Sequence, residues 1–509
     1  MPEPTSEDRS LNLRKFLIQP EALRLVPEPV ARQYTVIPLE VVNNVLKVAM
    51  ANPNDILALE ALAAKSQMRI DPRTATAEEI REAIDFNYRS YQEIAEEISR
   101  ISLPGETTKE RIAADIGAVT DAPVVKALAL IMDEAVKARA SDIHLQPQDN
   151  ELRVRFRVDG TLHDMFTLPL GTAIPLISRI KVMANMNIAD HLRPQDGQFS
   201  IQPKGRRDRM DIRVGIIPTV YGEMAALRLL DKARAFVPLS QLGFLPESLA
   251  KYEEMLKVPY GMVLVSGPTG SGKTTTLYAS INTLDCKERN IITIEDPVEY
   301  RFRYINQIQT NARAGLTFAS GLRSILRLDP NVILVGEIRD AETANIAVQA
   351  ALTGHLVLSS IHANDAIGIV SRLLDLGVER FLIASAVIGV VAQRMGRRVC
   401  PDCAGLVEVP LVERAVYSRE TGDERSEFLH GKGCNSCANS GYRGRIGIFE
   451  VLRMTEGIRG MLLSGANAAE LRTQAIKDGM IPLGKDGMLK VKANITTLAE
   501  VLRITYSAD

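Results

Sequence analysis

The sequence contains no tryptophan, and aromatic residues fill only 5% of its 509 positions. It has five cysteines, and 61 basic against 62 acidic residues leave a formal net charge of −1. Each scarcity excludes something. With no tryptophan there is no strong stacking platform for bases, and a near-neutral chain lacks the cationic field of a non-specific nucleic-acid binder. The longest apolar run, around 382–392, is too short to cross a bilayer as a helix. Residues 1–14 are polar and acidic, without the apolar core of a signal peptide, so a cytoplasmic location is expected. Four of the five cysteines form two Cys-x-x-Cys pairs, which suits a metal site in a reducing compartment better than disulfides.

What is present is a soluble globular composition, 46% hydrophobic and 24% charged, and enough chain for about three or four domains of roughly 100–200 residues each. The chain is organised around one stretch. An apolar segment ending at Val265-Ser266 runs into Gly267-Pro268-Thr269-Gly270-Ser271-Gly272-Lys273-Thr274-Thr275 and then a helix-competent run. The glycines allow backbone N–H groups to curl around phosphate oxygens at a helix N-terminus. In such a loop Lys273 reaches the β- and γ-phosphates of ATP and Thr274 ligates Mg²⁺.

Around this loop the sequence divides as follows. Residues 1–100 read as a small α/β docking module, with short strands near 36–39 and 45–49 and helices at 56–65 and 77–87. Residues 101–121 mix proline, glycine and charge and read as a linker. Residues 122–235 read as a second, α+β domain. Its segment 151–158 alternates Leu152, Val154, Phe156 and Val158 with Arg153, Arg155 and Arg157, a strand with one apolar and one cationic face. Asp159-Gly160 supplies a hairpin turn. Residues 236–398 alternate apolar strands at 262–265, 291–294, 332–335 and 356–359 with helical stretches. That pattern predicts an α/β core with a mostly parallel sheet and its ligands beyond the strand C-termini. Residues 399–447 hold the cysteine pairs, and 448–509 read as a helical tail.

The chemistry-bearing residues fall where that core needs them. Glu337, after the third strand, is placed to orient an attacking water and support Mg²⁺; Gly336 stands where an aspartate is usual, so Glu337 serves alone or with Glu295. Glu295, Asp296 and Glu299 surround a proline turn after the second strand. His355 and His362 flank the fourth strand, where a γ-phosphate sensor is needed. Arg213, Arg228, Arg323 and Arg327 are candidate charge stabilisers for the transferring phosphoryl group. Cys400, Cys403, Cys434 and Cys437 have the spacing of a closed, structural Zn²⁺ site. Cys286 is expected in a core.

These residues together resemble the secretion ATPases of type II secretion systems and type IV pilus assembly. The resemblance covers about residues 15–509. It implies a RecA-like P-loop core preceded by a PAS-like α+β domain. In that family 293–299 matches the Asp box, Glu337 the Walker B glutamate, and His355 with His362 the His box. Arg213 with Arg228, and Arg323 with Arg327, match arginines of the family. Both the tetracysteine module and the extra N-terminal domain set the chain apart from retraction-type relatives. The wording of 305–307 and 315–326 is nearer to type II secretion than to pilus assembly. Departures are Leu328 and Asn331, where Gln and Asp are expected, and Ser360-Ile361-His362-Ala363 in place of Thr-Leu-His-Thr. The N-terminal module carries no arginine-led repeat of the kind associated with cyclic-di-GMP. The resemblance implies a hexameric ring, peripheral at the inner membrane. Its implied partners are a platform protein and, through the N-terminal module, the cytoplasmic domain of an assembly protein. A nucleic-acid translocase, with Arg153, Arg155 and Arg157 lining a channel, is the competing class, disfavoured by charge and by the absence of tryptophan.

Overall fold

A computed structural model describes residues 13, 18, 20–42, 44–88, 91–101, 122–204, 208–231, 237–437 and 440–506. The linker expected over 101–121 lies outside them except for Ile101. The chain forms two compact units. One contains residues up to 231 with 400–404 and 431–443; the other contains 232–399, 405–430 and 444–509.

In the first unit, β1 (Val36–Val42), β2 (Val45–Met50) and β3 (Arg69–Thr74) make a three-stranded sheet, antiparallel between β1 and β2 and parallel between β2 and β3. The parallel step requires a crossover, and the helix Ile56–Ser66 provides it, started by Asp55, whose carboxylate accepts from the Ala58 N–H. The helix Ala77–Asn87 starts on a Thr76/Glu79 capping box. Leu46, Val48, Leu62, Ile80 and Ile84 close this small core.

The second domain is a six-stranded antiparallel sheet in the order β6-β5-β4-β9-β8-β7. Its strands are β4 (Asp142–Pro147), β5 (Glu151–Val158), β6 (Thr161–Pro169), β7 (Gln195–Ile201), β8 (Met210–Thr219) and β9 (Gly222–Leu230). The period-two alternation in β5 is realised: Leu152, Val154 and Phe156 are fully buried with residues of the helices Ala122–Lys137 and Ala173–Met183. The arginines of β5 therefore share the opposite face. Asp159 and Gly160 turn the hairpin with φ of 47° and 91°.

The second unit is built on a seven-stranded sheet in the order β12-β11-β13-β14-β10-β15-β18. Its strands are β10 (Gly261–Ser266), β11 (Ile291–Glu295), β12 (Asn306–Gln309), β13 (Val332–Val335), β14 (Leu356–Ile361), β15 (Val387–Val399) and β18 (Tyr442–Arg453). A short pair, β16 (Ala404–Glu408) and β17 (Glu427–Gly431), stands apart. The pairings among β10 to β15 are parallel, and β10, β13 and β14 are buried along their whole length. Continuous apolar runs are what a sheet covered on both faces requires.

Three features differ from the sequence expectation. The apolar run near 382–392 contributes to a 13-residue strand, β15, which lies beside β10. Strand β18 crosses the boundary expected at 447/448 and joins the core sheet, because 446–452 are buried and suited to an interior edge. The expected module 399–447 is divided, with the cysteine-bearing segments in the first unit and 405–430 in the second. Strands β3, β7, β12, β16 and β17 have no counterpart in the sequence expectation, while β6 is the second arm of the expected hairpin. Cys286 is half-buried against the core. Among the described residues no helix is long and apolar enough to cross a membrane.

The C-terminal helices are fastened to β18 by a buried ion pair. Asp486 and Lys490, one turn apart on the helix Leu483–Lys492, pair with each other, and the same Asp486 oxygen accepts from the Phe449 N–H at 3.1 Å. Burial raises the Asp486 pKa and lowers that of Lys490, while the pairing opposes both shifts. Removing one charge strands the other. Lys490→Met is expected to destabilise the second unit by about 3–5 kcal/mol. Calorimetric melting checks this, with Asp486→Leu/Lys490→Met recovering most of the loss.

Candidate nucleotide site and tetracysteine cluster

The parallel register decides where the site lies. Strands β10, β11, β13 and β14 end at the same edge, so Ser266, Glu295, Gly336 and His362 are delivered to one rim. From Ser266 the chain loops through Gly267–Gly272 into the helix Lys273–Thr283. Gly267 has φ of 144°, and a Cβ there would lie 2.3 Å from the Gln393 carbonyl, so only glycine lets the loop close against β15. Pro268, Thr269 and Gly270 are exposed at the tip, Ser271 is buried, and Thr274 and Thr275 open the helix. Lys273 folds back, donating from Nζ to the carbonyls of Gly267 at 2.7 Å and Pro268 at 3.2 Å. Burial lowers its pKa, the Glu337 carboxylate raises it, and the Arg394 guanidinium lowers it further.

Glu337 leaves the C-terminal end of β13 largely buried. Arg339 pairs with its Oε1 at 2.5 Å, and the His362 Nε2 stands 3.7 Å from its Oε2. Glu295 is buried, with both oxygens engaged. Tyr278 donates to one; Thr293 Oγ1 at 2.5 Å and Gln307 Nε2 at 3.3 Å donate to the other. Burial and that carboxylate push the Tyr278 phenol far above its ordinary pKa. Asp296, next in line, is exposed.

His355 is separated from this group within the chain. It precedes β14, and its Nδ1 lies 2.9 Å from the Ala350 carbonyl. The six residues of β14 put it about 20 Å from His362, at the opposite end of the sheet. Arg323 is paired with Glu342, and Arg327 is exposed on the following turn. In the first unit, Arg213 and Arg228 are register partners across β8 and β9, and Arg228 pairs with Asp142 at 3.1 Å. Asp142 also faces Arg157 across β4 and β5, so one polar row crosses four strands through Arg157, Asp142, Arg228 and Arg213.

The loop's unsatisfied groups fit a polyanion. The buried hydroxyls of Ser266 and Ser271 have no hydrogen-bond partner. Buried donors left unpaired are rare unless a ligand or water completes them. Thr274 and Glu337 are the residues that would hold Mg²⁺ between protein and phosphate.

The cysteine cluster meets a metal's geometric demand. The four sulfurs lie within 4.8 Å of one another, with Cys400–Cys434 and Cys403–Cys437 at 3.8 Å and Cys434–Cys437 at 3.7 Å. Zn–S bonds of about 2.3 Å in a tetrahedron place sulfurs about 3.8 Å apart. The two halves approach closely because Gly431 and Gly441 touch backbone to backbone, where a Cβ on Gly431 would come within 1.9 Å of the Gly441 carbonyl.

A sequence profile of the Type II/IV secretion system protein family matches residues 117–503. The chain belongs to this family of secretion and pilus-assembly ATPases. A MshEN domain profile matches residues 8–93. The chain is 42% identical over 499 residues to the type IV pilus assembly ATPase PilB of Myxococcus xanthus, covering 97% of this chain and 88% of that protein. It is 46% identical over 385 residues to the type II secretion system protein E of Klebsiella pneumoniae, covering 76% of each. The structure resembles the pilus retraction motor PilT, solved with ADP, at a TM-score of 0.53 and 25% identity, covering 74% of this chain and 96% of that one. The ATPase DotB of Legionella pneumophila shares the fold, with a TM-score of 0.56 at 21% identity.

In this secretion ATPase the sequence reading missed Arg339, which pairs with Glu337. Its only signal was a cation two residues beyond Glu337. Tyr278, which holds Glu295, carried no signal, because its partner is 17 residues away on another element.

The cluster predicts about one zinc per chain by metal analysis of protein purified under reducing, chelator-free conditions. Cys434→Ser should lose most of that zinc. Metal-free wild-type protein would remove the assignment.

Proposed function

We propose that the protein is an ATP-hydrolysing motor that powers assembly of a type II secretion pseudopilus from the cytoplasmic side of the inner membrane. What carries this reading is the convergence of the Lys273 loop, Glu337 and His362 on one rim of a parallel sheet. Extension of a type IV pilus is the second reading, favoured by the PilB alignment, which runs through the N-terminal module as well as the core. Loss of secreted proteins or of surface pili in a strain lacking the gene separates the two. ATPase activity unchanged by single-stranded DNA is expected, against the translocase class.

In the proposed reaction an incoming phosphate chain takes Lys273 from the Gly267 and Pro268 carbonyls. The loop N–H groups and the helix N-terminus hold the β-phosphate. Mg²⁺, held by Thr274 and the Glu337 side of the site, would neutralise developing charge on the phosphates. Glu337 orients the attacking water and accepts its proton, with Arg339 fixing one carboxylate oxygen and His362 near the other. Arg213 and Arg228 supply further positive charge when the second domain and the core close during the cycle. A hexameric ring passes that motion to an inner-membrane platform protein. The N-terminal module docks on the cytoplasmic domain of an assembly protein.

Lys273→Ala should abolish binding of a fluorescent ATP analogue. Glu337→Gln should retain binding while turnover falls by about 10²-fold or more. Turnover near the wild-type rate in Glu337→Gln would transfer the role to Glu295.

Arg213→Ala and Arg228→Ala should each reduce turnover strongly, toward the roughly 10³-fold typical of an arginine finger, while nucleotide still binds. Activity per chain should rise with protein concentration as rings form. Full activity in both variants, or concentration-independent turnover by a monomer, would reject closure within a ring.

A further inference from the structure

The phosphate loop has a second wall that no motif marks. Strand β15 runs parallel to β10 with Ala392 opposite Ser266, so the next two residues of β15, Gln393 and Arg394, flank the loop. Gln393 is 1% exposed, and its amide spans the loop's C-terminal side. Nε2 donates to the Ser271 carbonyl at 2.6 Å, and Oε1 accepts from Thr276 Oγ1 at 2.8 Å. Its backbone carbonyl is the group that crowds Gly267. One residue thus contacts the loop at its beginning and its end.

Arg394 follows directly. Its Nη1 is buried and has no hydrogen-bond partner, and among the described residues no carboxylate pairs with it. Its charge acts on Lys273. A guanidinium nitrogen withdrawn from water without a partner is costly, and the planar fork suits phosphate oxygens. The available ligand chemistry beside Lys273 is an anion, and the loop is a phosphate cradle.

We propose that Arg394 is a phosphate-binding residue of the nucleotide site, contributed by the same chain, and that Gln393 is the positioning residue that locks β15 to the loop. This rests on the nucleotide reading given above. Glu337 and His362 come from β13 and β14, on the other side of β10 from β15. Arg394 therefore serves the binding of ATP and ADP alike more than activation of water, and its loss should raise KM more than it lowers kcat.

The test uses the full chain with fluorescent ATP and ADP analogues. Arg394→Ala is expected to weaken both by about tenfold, the value of one charge-assisted hydrogen bond, with partial recovery in Arg394→Lys. Gln393→Leu should act in the same direction. The thermal shift produced by ADP should shrink in Arg394→Ala, because stabilisation by a ligand follows its affinity. A purely structural role would lower the melting temperature of the nucleotide-free protein while leaving the affinities and the ADP-induced shift intact, and that result would overturn the proposal. If Arg394→Ala does not fold, Arg394→Gln keeps much of the stem without the charge, and wild-type affinity in that variant overturns it equally. Lys273→Ala in the same assay isolates the underlying reading. If wild-type protein binds no better than Lys273→Ala, the nucleotide assignment itself has failed.

Discussion

The structure depends on the parallel pairing of β10 with β14 and β15. A parallel sheet aligns strand C-termini, so the groups that follow β10, β13 and β14 share one rim, whereas His355 lies at the other end of β14. The phosphate loop grows from β10, Glu337 from β13, His362 from β14 and Arg394 from β15. Because β10, β13 and β14 are buried along their length, a slip in register would move side chains between the two covered faces and would also displace the rim. Packing and chemistry are held by one constraint.

Buried polar groups reinforce that alignment. Glu295 is engaged by Tyr278, Thr293 and Gln307, which ties the helix after the phosphate loop to β11 and β12. Gln393 ties the loop to β15. Asp486 and Lys490 tie the C-terminal helices to β18. Each is nearly inaccessible to water, so each bond's loss leaves an unsatisfied partner, which makes these contacts more position-specific than apolar packing. Beside the loop the Ser266 and Ser271 hydroxyls and one Arg394 nitrogen are buried without a hydrogen-bond partner.

The second domain reaches its chemistry by another route. Its sheet is antiparallel, so facing residues on adjacent strands become cross-strand neighbours. That places Arg213 beside Arg228, and Asp142 between Arg228 and Arg157. An acidic residue among arginines limits their mutual repulsion and orients them, which lets one face carry several cations at a near-neutral overall charge.

Much was legible in the sequence because it was local. The P-loop is a contiguous strand, glycine loop and helix start; the alternation in 151–158 follows from the two-residue period of a strand; the cysteine pairs carry zinc-ligand spacing. What tertiary structure alone decided involves partners distant in sequence. An apolar run at 382–392 does not reveal that it will lie against β10, so Gln393 and Arg394 gave no signal although they border the phosphate loop. Strand β18 joins the core sheet only after the long excursion between Val399 and Tyr442.

 Strand β15 ends at Val399 and β18 begins at Tyr442, so residues 400–441, cysteines included, lie between two members of one sheet. His355 and His362 read as a pair in sequence, yet the length of β14 holds them at opposite ends of it. The physical reason is the same in each case. Backbone periodicity and turn chemistry act over a few residues, whereas sheet order and side-chain pairing are decided by which buried surfaces and buried donors find each other after the chain has folded.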